Sequence, residues 1–461
     1  MKIVQVAHGY PPDISGGTEQ YVRDITEGLR DRGHRMFVYA GSMEWREAFA
    51  VEAAELDGYE VTRIHRDDLY FDRWDKAYNP LVEEHFRRYL ADRAPDLIHV
   101  HQWIRLTSNL CAVAAESGIP AVVTLHEFYT TCPRLFRLKA DGQLCVAPLS
   151  VKNCLHCAER WLFQRDDEIK RALAGYKADI EQELRCAACL LAPSWSHASA
   201  VAQRLGLDGL DILHLPMARR RMLNPAPRTP RKEKRRIVFF SHLYPHKGPK
   251  VLVEAYCAMK HRDLAELHLF GAEVLPDFAA ELKALSKGLD VHFHGAYSRG
   301  DLENFPMDIV VIPSLVPETH SFILDEAVGL GVPVVAADTG ALAERATDAV
   351  QLFRRGDAGD LAEKLDRMVE DEGVLQGMRS AAPPRVQTID DHLERLEKIY
   401  AEAVEEGPRA AGDERAPARL KDQWTRREDG FKELIRSEQW EHLADSLRKR
   451  IEELEGRLGE P

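Results

Sequence analysis

The stretch from 317 to 338, PETHSFILDEAVGLGVPVVAAD, sets one carboxylate, Glu318, just ahead of a predicted helix and a second, Glu326, eight residues later. Pro317 ends the preceding segment, Thr319 or Ser321 supplies a cap, and Ile323, Ala327, Val328 and Leu330 form an apolar stripe. The helix start then falls at His320, Ser321 and Phe322, where free backbone N–H groups make an anion site that needs no metal. Eight residues span about 12 Å of helix, so the two carboxylates flank that site. Carboxylates accept hydrogen bonds from vicinal hydroxyls, and polyhydroxylated groups on either side of a diphosphate would satisfy both. Taken alone, such a pair has a plainer reading, a dipole-favoured helix-start residue and a surface glutamate.

Other segments add to it. In VFFSHLYPHKGPKVLVEAY a strand ends and Lys247-Gly248 opens onto a helix, offering a compact positive charge and close backbone approach. Gly16 and Gly17 lie between the first strand and the first helix, a flexible turn suited to an anion. Either pair by itself is a common turn.

The elements that must position these residues follow from the apolar runs. KIVQVA, MFVYAG, DLIHVH, PAVVTLH and ACLLAPS alternate with segments of helical period, which predicts parallel strands buried on both faces in an α/β, doubly wound domain over 1–215. Residues 216–236 are rich in Pro, Arg and Lys without apolar period and read as a basic interdomain linker. RIVFFSH, ELHLFGA, DVHFHGA, DIVVIPS and VPVVAAD then mark a second such domain over 237–387, with 388–406 a helix expected to return to the first. Two Rossmann-like domains facing a cleft bind ligands between the carboxyl ends of their strands. Residues 407–461 form a linker and a tail in which Trp440, Ala444, Leu447, Ile451, Leu454 and Leu458 repeat as a short heptad seam, suited to a homodimer or partner coiled coil or to packing on the chain's own domain.

Net charge is −13 over 461 residues, which argues against a general nucleic-acid binder. No apolar run reaches the roughly 18 residues of a membrane span, and Met1-Lys2 leads directly into a strand. These features predict a cytoplasmic protein, with the basic linker either a solvated hinge or a peripheral contact to the inner face of the membrane.

The order and spacing of these signals resemble the retaining nucleotide-sugar glycosyltransferases of family four, with the GT-B fold, over about residues 1–405. The matching stretches are GGTE, DLIHVH, TLHE, SHLYPHKG, LHLFGAE, the E-x7-E helix and GVPVVAADTGALAE. The resemblance implies that Glu318 binds donor-sugar hydroxyls near the reaction centre and Glu326 the ribose diol. It places the diphosphate at His320, Ser321 and Phe322, Lys247 on the departing phosphate, Gly16 and Gly17 over the diphosphate, and His126 beside the transferred sugar. His242 stands where the family usually has Arg, and it lacks the planar guanidinium fork; compensation by His246 is one outcome. No catalytic metal is implied. The expected activity is transfer from a UDP- or GDP-sugar to a glycan, lipid-linked or small-molecule acceptor, in polysaccharide or glycoconjugate biosynthesis. The alternatives are a catalytically weak binding or scaffold relative and an epimerase on the same donors.

In the loop 130–160, Cys132, Cys145, Cys154 and Cys157 are spaced C-x12-C-x8-C-x2-C, which suits a structural zinc that would fix a segment with few apolar anchors. A rival set joins Cys154 and Cys157 to Cys186 and Cys189. His99 and His101 end a strand near the predicted cleft, one of them serving structure.

Overall fold

Uninterrupted Val, Ile and Leu runs can be buried only where helices cover both faces of a sheet, and the chain builds two such sheets. The computed structural model describes residues 1–461 except 15, 45, 47, 67–77, 140, 161–163, 207–210, 224–233, 411–418, 423 and 426–461. The heptad seam from Trp440 to Leu458 and residues 224–233 of the basic linker therefore lie outside the described residues.

The first sheet comprises β1 (Lys2–Ala7), β2 (Arg35–Gly41), β3 (Ala50–Leu56), β4 (Tyr59–His65), β5 (Leu97–Val100), β6 (Ala121–Thr124), β7 (Cys189–Ala192) and β8 (Ile212–His214). Its order is β3-β4-β2-β1-β5-β6-β7-β8, parallel except for the β3–β4 pair. The second comprises β9 (Arg235–Phe240), β10 (Ala265–Phe270), β11 (Val291–Gly295), β12 (Ile309–Ile312), β13 (Val334–Ala337) and β14 (Val350–Phe353). It is wholly parallel in the order β11-β10-β9-β12-β13-β14. Chain order reverses between β1 and β5 in one sheet and between β9 and β12 in the other. Those are the points where a doubly wound sheet opens a crevice.

β9 begins inside the stretch read as linker. Arg235 and Arg236 pair in register with Ala265 and Glu266, and Arg235 is buried against Asp308 and Glu372, so its charge is matched rather than left in a solvated hinge. The nearer linker arginines are also engaged: Arg219 donates to Asp24 at 2.8 Å and Arg220 pairs with Glu27 at 3.0 Å, both on the helix Gly17–Asp31.

The helix Ile389–Glu406 crosses back to the first domain. Glu397 meets Arg32 at 3.0 Å and His34 at 2.8 Å, while Leu393, Leu396, Tyr400 and Ala403 are buried among Ile3, Val22, Ile25 and Leu29. Among the described residues no helix is long and apolar enough to cross a membrane.

Candidate active site

The loop after β12 brings Glu318 to the switch point of the second sheet, and the loop after β9 brings Lys247 to meet it. Lys247 Nζ donates to Glu318 Oε1 at 2.9 Å, and Ser314 Oγ donates to the same oxygen at 2.5 Å. Burial alone would raise the carboxyl's pKa, but the ammonium of Lys247 and the hydroxyl of Ser314 outweigh it and hold Glu318 below its ordinary value. Two glycines make this approach feasible. Gly248 has φ +75°, and a Cβ there would lie 1.9 Å from the carbonyl oxygen of Pro313. Gly340, at φ +55°, passes so close that a Cβ would lie 2.4 Å from the carbonyl oxygen of Glu318.

The helix itself is Phe322–Gly329. Of the two caps read from sequence, Ser321 holds the position, its Oγ accepting from the Leu324 amide at 3.3 Å, with φ +81° in the left-handed region. That conformation is costly for a residue with a Cβ and concentrates at functional sites. Thr319 does something else: its Oγ1 donates to the carbonyl of His126 at 2.6 Å, tying the second domain to the first. Behind the helix start, buried Asp325 is held by His320 Nε2 at 2.7 Å and by Arg345, and these partners overcome burial to keep its pKa low. His320 Nδ1 remains buried without a partner. One turn along the helix, Glu326 is raised to about 7 by burial, which Arg219 and Arg299 only partly offset.

The first domain supplies the facing wall. Gly17 sits against the ring of Phe322, 3.6 Å from where its Cβ would be. The Gly16 amide donates to Glu19 at 2.9 Å, so the glycine turn read as an anion cradle is in part filled by its own helix's carboxylate. His126 follows β6. Its Nε2 bonds His101 Nδ1 at 2.8 Å, His101 Nε2 bonds Gln5 at 2.8 Å, and its Nδ1 is buried without a partner. Burial lowers His126 to about 3, so the ring is neutral near pH 7. His99 lies a layer further back, between Tyr400 at 2.6 Å and Thr124 at 2.7 Å; it is the structural one of the HVH pair.

His242 is exposed and meets Tyr244 edge to face at 6.0 Å. His246 is stacked between Phe136 at 4.3 Å and Tyr244 at 5.4 Å, and burial and Lys247 lower it to about 4. It is therefore neutral near pH 7 and does not replace the missing arginine's charge. A guanidinium does reach the helix start from elsewhere: Arg219 lies over the Phe322 ring at 5.1 Å. Sequence reading placed Arg219 in the linker, and only its contact reveals it. Ser314 and Tyr400 were likewise missed, the latter because 301 residues separate it from His99.

The four loop cysteines are all thiols, Cys132 buried and the others half-buried. Their sulphurs are not gathered to ligand spacing: among the described residues the group of three with ligand atoms within 4.8 Å of one another is Glu266, His268 and His292. Cys186 and Cys189 show no such grouping either.

Two facing Rossmann-like domains, with a lysine and a helix start at the second sheet's switch point and a histidine after β6 tied to the same loop by Thr319, define a nucleotide-sugar glycosyltransferase of GT-B architecture. The model of "Glycosyltransferase Family 4" matches residues 15–217 and that of "Glycosyl transferases group 1" matches 234–371. The chain belongs to glycosyltransferase family 4, and it is a retaining enzyme that takes its sugar from a nucleotide-sugar donor. It is similar to a glycogen synthase of Mycobacterium tuberculosis, 23% identical over 410 residues, covering 84% of this chain and 90% of the relative. It is also similar to a phosphatidyl-myo-inositol mannosyltransferase of Mycolicibacterium smegmatis, 23% identical over 403 residues, covering 83% and 88%. The structure of Anabaena HepE in complex with UDP-glucose matches with TM-score 0.54 at 19% identity, covering 88% of this chain and 99% of that one.

Proposed function

We propose that the cleft transfers a hexose from a UDP-sugar to a hydroxyl of a glycan or lipid-linked acceptor. The Lys247–Glu318 pair at the head of the helix Phe322–Gly329 carries this reading. Breaking the anomeric C–O bond leaves negative charge on the departing phosphate. Lys247 and the first-turn amides stabilise that charge more than the ground state, which is electrostatic catalysis. Glu318, already engaged by Lys247 and Ser314, orients sugar hydroxyls rather than attacking carbon. The acceptor's proton passes to the leaving phosphate oxygen, and no side chain needs to become a covalent intermediate. Support for hydroxyl binding comes from the buried, unpartnered Nδ1 atoms of His126 and His320, whose satisfaction by ligand would remove a cost of about 1–3 kcal/mol each.

The choice of uracil rests on the UDP-glucose complex of the structural neighbour, and that of a lipid-linked acceptor on the mannosyltransferase relative. For the cysteine loop, the proposed structural zinc rests on the C-x12-C-x8-C-x2-C spacing, and its ligands would have to draw together around the ion; its metal content is measured in the experiment below.

Binding of UDP, GDP and ADP and of their sugars, followed by donor turnover with and without acceptors, tests the reading. UDP and one UDP-sugar should bind, with turnover stimulated by acceptor. Binding without turnover of any donor would support the scaffold reading instead, and donor isomerisation without acceptor the epimerase.

A further inference from the structure

Away from the cleft, strand alternation gathers ligating side chains on one face of two neighbouring strands. Glu266 and His268 are two apart on β10; Asp290, just ahead of β11, and His292 and His294 on it follow the same period. The strands are parallel with His268 directly beside His292, and β11 is the outermost strand of its sheet. Ligand atoms of Glu266, His268 and His292 lie within 4.8 Å of one another.

A polar face on an edge strand is ordinarily solvated and needs no further account. Two observations exceed that. His268 is only 6% exposed, yet its Nε2 has no hydrogen-bond partner, although it lies 3.3 Å from Glu266 Oε1. The opposite nitrogen of that ring is held, Nδ1 to His294 Nε2 at 3.0 Å, and His292 Nε2 is held by Asp290 Oδ1 at 2.8 Å. Outer partners of this kind fix the orientation and tautomer of metal-binding imidazoles. Burying a nitrogen with no partner is costly, and a cation shared with the adjacent carboxylate removes that cost.

We propose that Glu266, His268 and His292, supported by His294 and Asp290, bind one divalent ion of the zinc class. The donor set decides the class. Arg236 Nε already occupies Glu266 Oε1 at 2.9 Å and Lys234 Nζ occupies Asp290 at 2.5 Å, so both carboxylates are charge-compensated and the imidazoles dominate. Nitrogen donors favour zinc and its first-row neighbours over magnesium or calcium, which take oxygen. Bonds of about 2.0–2.2 Å to one ion bring ligand atoms closer than they now lie, so the His292 ring, 47% exposed and stacked on His268 at 4.7 Å, must shift to reach the ion. The bound ion would pin β11 to β10. The site shares no residue with the catalytic cleft or with the cysteine loop.

The test titrates untagged, metal-stripped full-length protein with Co2+ and Zn2+, reading Co2+ absorption, stoichiometry and the rise in Tm. The comparison is with His292→Gln, His268→Ala and the double variant Cys145→Ser/Cys157→Ser. The proposal expects an ion with nitrogen and oxygen ligands, retained in the cysteine variant and weakened at least about 10-fold by either histidine change. His292→Gln is the safer variant because the exposed ring adds little to folding. Donor binding should be unchanged in His292→Gln, which separates this site from the reading of the cleft. Unaltered Co2+ affinity in His292→Gln, or no ion bound outside the cysteines, would overturn it. A further equivalent with thiolate absorption, lost only in the cysteine variant, would report the loop zinc.

Discussion

Glu326 is the residue whose environment makes the sharpest prediction. Its pKa of about 7 results from burial that Arg219 and Arg299 only partly compensate. The ionised carboxylate accepts hydrogen bonds from both hydroxyls of a diol, while the protonated form has lost part of that capacity. Donor KM should therefore rise as pH falls through about 7, and the dependence should flatten in Glu326→Gln; a wild-type KM indifferent to pH over that interval would remove Glu326 from the ribose. Glu318 and Lys247 were singled out because each sits between a strand and a helix start, and His126 because TLHE resembles the family's motif. Partners that act through space were not. Ser314, which shares Glu318 with Lys247, and Arg219, which covers Phe322, belong to stretches whose own patterns say only strand end and linker.

At the scale of elements, the site depends on turns in which a side chain has no room. Gly340 brings the segment after β13 against the backbone of Glu318, where a Cβ would lie 2.4 Å from its oxygen and 2.8 Å from its nitrogen. Gly340→Ala should lower stability by about 1–3 kcal/mol and depress kcat, because the displaced group is Glu318. Gly377, inside the helix Glu372–Ser380 with open space around it, is the contrast: Gly377→Ala should be neutral or stabilising by up to about 1 kcal/mol. Denaturation and donor turnover on both variants check the pair, and equal effects would show that backbone approach at Gly340 is unimportant. The strands themselves were readable from Val, Ile and Leu runs. The cap was not, since Thr319 and Ser321 are equivalent in chemistry and only the contact of Thr319 with His126 decides between them.

For the whole molecule, buried histidines set the response to acid. Burial lowers His126 and His197 to about 3 and His246 and His392 to about 4, and pushes His99 and His101 well below their ordinary value. The unfolded chain binds protons at these groups below about pH 6.5 and the folded chain does not, so each contributes a loss of about 1.4 kcal/mol per pH unit on acidification from there down to its folded pKa. Three buried carboxyls act oppositely: Glu127, raised to about 8 by burial, and Glu183 and Glu326, each raised to about 7. Six imidazoles outnumber them, and Tm should fall from about pH 6.5 to about pH 5. A Tm that is flat or rises on acidification would show that these histidines are not buried neutral. Three of the six, His99, His101 and His392, sit where the C-terminal helix Ile389–Glu406 closes on the first domain, through Tyr400 to His99 and Tyr21 to His392 at 2.9 Å.

The amino-acid sequence by itself determined the two parallel sheets, the helix start at 320–322 and the positions of the lysine and carboxylates. Those features are local: apolar runs, turn glycines and capping groups act within a few residues. The tertiary structure decided which partners complete the site. Thr319 reaching His126 across the cleft, the Gln5, His101 and His126 relay, and the Glu266, His268 and His292 cluster each join segments tens to hundreds of residues apart. Such contacts depend on strand order and domain apposition, which chain-local pattern does not encode.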